Sequence, residues 1–132
     1  VISAYKMEVE RMGTSNPRAS QIVTFNGVTY LTGQTSDVGA TAKEQTEHVL
    51  NKIDGLLAAA GTSKSSLLTA QIWLKNISKD FAGMNEAWNS WIDPQNKPTR
   101  ACVESRLARD ALLVEIQVTA SNPSLLRRKS AL

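Results

Sequence analysis

Ile22-Val23-Thr24-Phe25-Asn26-Gly27-Val28-Thr29-Tyr30-Leu31 decides how the rest of the chain is read. Two runs rich in β-branched and aromatic residues flank an Asn-Gly pair. Such side chains suit the pleated backbone of a strand, and Asn-Gly tolerates the positive φ angles of a two-residue hairpin turn. The chain therefore starts its sheet with a tight hairpin. Gly33 follows, at a place where a side chain would obstruct anything approaching the backbone. Upstream, Gly13, Asn16 and Pro17 mark a loop after an edge strand around residues 6–11.

Downstream, Thr41-Ala42-Lys43-Glu44 has the spacing of a capping box and opens a helix. Val49, Leu50, Ile53, Leu56, Leu57 and Ala60 recur at helical spacing, and Gly61 is placed to end the helix in a left-handed conformation. Residues 67–75 alternate like a strand, with Leu68, Ala70, Ile72 and Leu74 on one face. A second helix is expected from near Asp80, burying Phe81, Met84, Trp88 and Ile92, until Asp93-Pro94 stops it. Two strands close the domain, over residues 99–105 and 111–119. In the first, Ala101 and Val103 oppose Arg100, Cys102 and Glu104. In the second, Leu112, Val114, Ile116 and Val118 oppose Glu115, Gln117 and Thr119.

Six strands and two helices make an α+β domain. Two helices of this length cover one face of a sheet and leave the other bare. That second face is expected to carry Thr69, Gln71, Trp73, Arg100, Cys102, Glu115 and Gln117, a set too polar for a core and too aromatic for an ordinary wet surface. Interfaces accept Trp and Arg readily, so association through this face is expected. The single domain is assigned to residues 1–121, followed by a basic tail over 122–132.

At 132 residues the chain has the length for one core. No apolar run approaches the ~20 residues of a membrane helix, so no membrane partner is expected. One cysteine cannot form an internal disulfide, which gives no pointer to an oxidising compartment. A cytoplasmic location is expected, with mitochondrion and peroxisome left open; the terminal Ser130-Ala131-Leu132 lacks the basic middle residue of a peroxisomal address. The net charge of +3 is matched by Arg127-Arg128-Lys129 alone. Without these, the 15 basic residues fall to 12, equal to the 12 acidic ones. A near-neutral body argues against nucleic acid as a partner. With one His and one Cys there are too few soft ligands for zinc. His48 falls off the apolar stripe of the first helix and reads as a solvated residue.

The segment Pro98-Thr99-Arg100-Ala101-Cys102-Val103-Glu104, followed by Val114-Glu115-Ile116, resembles the C-terminal signature of the reactive intermediate deaminase (Rid) family. Leu31-Thr32-Gly33-Gln34 resembles that family's strand ending in Gly-Gln, and Asp80-Phe81-Ala82-Gly83-Met84-Asn85 its second-helix opening. The order of elements agrees from about Ser20 to Ala120. The resemblance implies a chorismate-mutase-like α+β fold with a mixed six-stranded sheet, a homotrimer, and clefts between neighbouring subunits. It also implies hydrolysis of 2-aminoacrylate and related 2-imino acids to 2-keto acids and ammonia, without a cofactor.

An α-imino acid needs a cation for its carboxylate and a directed water for its C=N carbon. Arg100 suits the first task, because guanidinium grips carboxylate with two prongs; the resemblance assigns it this role. Glu115 suits the second, by positioning or deprotonating water or by passing a proton to departing ammonia. Gly33, Cys102 and Asn85 complete the pocket by analogy. Taken without the resemblance, Arg100 and Glu115 on adjacent strands read as a structural ion pair, and Cys102 as a small buried hydrophobe. One departure stands out. Where deaminase members carry Gly-Pro-Tyr-x-Gln, this chain reads Pro17-Arg18-Ala19-Ser20-Gln21, with Ala19 in the tyrosine's place. A non-catalytic trimer that binds a small carboxylate, as a metabolite sensor or chaperone-like module, is the alternative reading.

Overall fold

The computed structural model describes residues 8–123; residues 6 and 7 of the expected edge strand, and most of the basic tail, lie outside that range. Within it the elements are β1 (Glu10–Met12), β2 (Ile22–Phe25), β3 (Val28–Leu31), β4 (Gln34–Thr35), α1 (Ala42–Ala60), β5 (Leu67–Leu74), α2 (Ile77–Trp91), β6 (Thr99–Glu104) and β7 (Val114–Ser121).

The hairpin forms as its sequence dictates. Asn26 and Gly27 take φ of 51° and 77°, the double positive pair of a type I′ turn. Phe25 then pairs with Val28 and Ile22 with Leu31. The sheet runs β1-β2-β3-β7-β5-β6, antiparallel throughout except for the parallel pair β5/β6. The parallel step is made by α2, which carries the chain from β5 back to the start of β6.

A seventh strand joins the six expected ones. β4 pairs with β7 further along the same side that β3 occupies, Gln34 opposite Ile116 and Thr35 opposite Glu115. β3 and β4 are thus one line of strand interrupted at Thr32 and Gly33. At the break, the Thr32 amide still donates to the Gln21 carbonyl at 2.9 Å, so pairing with β2 continues where pairing with β7 is interrupted.

Both helices pack on one face. Val49, Leu50, Ile53 and Leu57 of α1 and Met84 and Trp88 of α2 join Ile72, Leu74, Val114, Ile116 and Val118 in a single buried cluster. Burial of each large aliphatic side chain contributes about 1.5–3 kcal/mol. The α1 cap is as the sequence implies: Thr41 Oγ1 accepts from the Glu44 amide at 3.1 Å and donates to Glu44 Oε1 at 3.0 Å. Gly61 closes the helix at φ 92°, and the Thr62 amide reaches the Leu57 carbonyl at 2.9 Å.

Four expectations shift. A register irregularity between Leu67 and Thr69 turns Leu67 inward and leaves Leu68 exposed. α2 begins a turn before Asp80, at Ile77, because Asn76 Oδ1 caps the Lys79 amide at 3.1 Å; this rotation buries Asp80 and exposes Phe81. His48 is half-buried rather than solvated, its Nδ1 bonded to the Oγ of buried Ser36 at 2.5 Å. Asn122, assigned to the tail, is buried: its amide donates to the Gly27 carbonyl at 2.7 Å, and its Nδ2 to Thr29 Oγ1 at 3.0 Å and to the Ala60 carbonyl at 2.8 Å.

Candidate functional site

The side of β6 on which Arg100 lies follows from register. In the β5/β6 pair Arg100 is opposite Ala70, Cys102 opposite Ile72 and Glu104 opposite Leu74. Ala70, Ile72 and Leu74 are buried beneath the helices, so residues in register with them point the same way. Arg100 and Cys102 therefore belong to the helix side, not to the open face expected for them. The open face keeps Gln71, Trp73, Glu115, Gln117 and Thr119, together with Ala101, Val103 and Tyr30 from flanking strands.

α2 supplies the surroundings of Arg100. Its Nη1 donates to Asn85 Oδ1 at 2.8 Å and lies 3.8 Å from Met84 Sδ. The guanidinium carbon stands 5.4 Å from the centroid of the Trp88 ring, a cation–π distance. Met84, Asn85 and Trp88 fall at i, i+1 and i+4, one edge of a helix. Trp88 is buried in the core cluster and lies under the guanidinium, so it packs the core and floors the arginine at once. Sequence reading missed that second role, although the i, i+3 spacing of Asn85 and Trp88 was the signal for it. Among the described residues, the other donors of Arg100 have no protein acceptor, and the side chain is exposed. A concavity of about 300 Å³ lies along the start of the β5/β6 pair, lined by Thr69, Ala70, Gln71, Thr99, Arg100 and Ala101; Gln71 and Ala101 belong to the open face, and the α2 residues around the guanidinium do not line it.

Cys102 lies two residues along the same face, half-buried against the core. Burial pushes its thiol pKa up, and the nearby Arg100 charge offsets part of that rise. The thiol is thus neutral at physiological pH, as a small core residue should be.

Gly33 and Glu115 form a separate group. A Cβ at Gly33 would overlap the Glu115 carboxylate, so the missing side chain at the β3/β4 break is what admits the acid. Glu115 is half-buried and in register with Trp73 on one side and Thr35 on the other. The structure thus brings Arg100, Asn85 and Cys102 together, and Gly33 with Glu115, but on opposite faces of the sheet with β5 between β6 and β7. The ion pair considered for Arg100 and Glu115 is not formed, because the two strands are not neighbours. Among the described residues, no three His, Cys, Asp or Glu side chains cluster as metal ligands do, and no helix is long and apolar enough to cross a membrane.

The same architecture recurs in known proteins. A YjgF-family protein of Neisseria meningitidis superposes with a TM-score of 0.86 at 42% identity, covering 89% of this chain and 98% of its own. A RutC family protein of Haemophilus ducreyi is 40% identical over 114 residues, 86% of this chain and 96% of that protein. Escherichia coli YoaB, also of the RutC family, is 38% identical over 104 residues, covering 79% and 90%. The sequence profile described as Endoribonuclease L-PSP matches residues 13–122. The chain belongs to this family, known also as RutC, YjgF or Rid.

Proposed function

We propose that the chain forms a homotrimer that hydrolyses reactive 2-imino and enamine acids of the 2-aminoacrylate type to 2-keto acids and ammonia. The observation that carries this reading is the state of Arg100. It is held on one edge by Asn85, floored by Trp88, and left exposed with unspent donors. A guanidinium fixed on one edge presents its other edge for two-pronged capture of a carboxylate.

Water then adds to the C=N carbon, the resulting carbinolamine loses its C–N bond, and the nitrogen leaves as ammonia after gaining a proton. A carboxylate is the fitting group to steer that water and move that proton, and Glu115 is the acid assigned to it. Because Glu115 faces away from the Arg100 of its own chain, a site holding both needs the Glu115 of a neighbouring subunit. The bare face with Tyr30, Trp73 and Val103 supports such an assembly. Arg100 and Asn85 bind substrate in this proposal, with Cys102 beside them and Gly33 as the space that admits Glu115. No cofactor enters the chemistry. The assigned setting is the cytoplasm, and neither a membrane nor nucleic acid is a partner.

The test is release of ammonia and keto acid from freshly generated 2-iminopropanoate by wild type and Arg100→Ala. Acceleration that vanishes in the variant supports the deaminase; none from a folded wild-type trimer rejects it for this substrate. The second reading, a trimer that binds a small carboxylate without turning it over, draws on Ala19 standing where deaminase members carry a tyrosine. It predicts thermal stabilisation by a 2-keto acid that depends on Arg100, without ammonia release.

A further inference from the structure

At the opposite end of β6 from Arg100 lies a second concavity, of about 470 Å³, lined by Lys75, Arg106, Leu107, Arg109 and Asp110. It sits at the carboxyl ends of β5 and β6, where the 105–113 loop folds back over Lys75. Two first-turn donors of α2 beside it are already used. Glu104 Oε1 accepts from the Ile77 amide at 3.0 Å, and Asn76 Oδ1 from the Lys79 amide. No α2 residue lines the space, so an anion here is received by the lining side chains.

Three cations line this space against one carboxylate. Lys75 Nζ spends two of its three donors on Asp110, at the carbonyl (2.7 Å) and at Oδ1 (2.9 Å). Arg109 spends Nη1 on Asp37 Oδ2 at 3.3 Å. The Arg106 side chain has no acceptor among the described residues. Lys75 is thus aligned by Asp110, while the two guanidinium groups keep nearly all of their planar forks free. With Asp110 and the Asp37 carboxylate on Arg109 both counted, one positive charge remains, which favours an anion. Donors arriving from three separate side chains suit tetrahedral oxygens better than a flat carboxylate. The volume leaves room for a few carbon atoms against Leu107.

We propose that this pocket binds the phosphate group of a small metabolite, received by Arg106 and Arg109 and steadied by Lys75. The proposal is independent of the chemistry at Arg100.

The experiment is calorimetric titration of the full chain with inorganic phosphate and with glycerol phosphate, at constant ionic strength made up with chloride. Wild type, Arg106→Ala, Arg106→Lys and Arg100→Ala are compared. Saturable binding, weakened about tenfold by Arg106→Ala, only partly restored by Arg106→Lys and unchanged in Arg100→Ala, is the expected result. Tighter binding of the phosphate ester than of inorganic phosphate supports a metabolite; equal or weaker binding of the ester overturns that assignment. Non-saturable heats, or binding lost in Arg100→Ala, overturn the site. So does an RNA oligonucleotide that binds through Arg106 when the phosphate ester does not. Arg106 is exposed, and a melting curve superimposable on wild type confirms that its variants are folded.

Discussion

The two faces of the sheet hold Arg100 and Glu115 in different ways. On the helix side, Arg100 is fixed by side chains of one neighbouring element: it donates a hydrogen bond to Asn85, lies over the Trp88 ring and approaches the Met84 sulfur. On the open side, Glu115 is placed by backbone, since the interrupted β3/β4 line and the bare Cα of Gly33 make its space. A long cation on an edge strand needs partners to restrict its many rotamers. A short acid on a central strand is already restricted by the ladder around it. The first arrangement is therefore sensitive to helix packing, and the second to backbone shape.

Substitutions that separate the faces test this contrast. The largest effect is expected from Ile116→Ala under the helices, at about 2–5 kcal/mol of stability, against about 0.5 kcal/mol or less for Gln117→Ala on the open side. Chemical denaturation of both variants reads the difference, and equal losses would mean that the open face is covered as tightly as the core. Next comes Arg100→Ala, expected to lower kcat/KM for an imino acid about 100-fold, or about 2.7 kcal/mol. Trp88→Phe, which keeps a ring but weakens the cation–π contact, should lose less than Arg100→Ala, because its effect acts only through positioning.

Gly33→Ala should displace the Glu115 carboxylate, reducing kcat about tenfold while leaving Arg100-dependent binding of a keto acid intact. Parallel loss of binding would show that the two groups act as one. The smallest effect concerns Cys102. Burial raises its pKa above 9.0, so folding favours the protonated thiol. That contribution is fully present below the unfolded thiol's pKa and is lost as pH rises through the folded value. Thiolate absorbance should therefore rise at higher pH in the folded protein than in denaturant, and a midpoint below 9.0 would contradict the burial seen here.

Much of this was legible in the sequence because it is local. Asn26-Gly27, the Thr41 to Glu44 box, the α1 stripe and Gly61 each specify their geometry within a few residues, and each forms as expected. The errors are non-local. Alternation in β6 separated Arg100 and Cys102 from Ala101 and Val103 correctly, but only pairing with β5 decides which set faces the helices. The irregularity at Leu67 to Thr69 arises from pairing with β7 and leaves no mark in the β5 sequence itself. At the candidate site, residue types announced Arg100 and Glu115, and the resemblance added Asn85; that Arg100 meets Asn85 while Glu115 stands across the sheet follows from pairing register and helix packing.

The position of β7 has a consequence for how the chain acquires its structure. It pairs with β3, β4 and β5, yet follows all of them in sequence. Until it emerges, the hairpin and the β5-α2-β6 unit have no common strand to join them, and their apolar edges stay wet. Such late, long-range closure slows folding relative to locally wired domains. During synthesis, the half-built sheet presents unpaired edges that favour premature contact with other nascent chains.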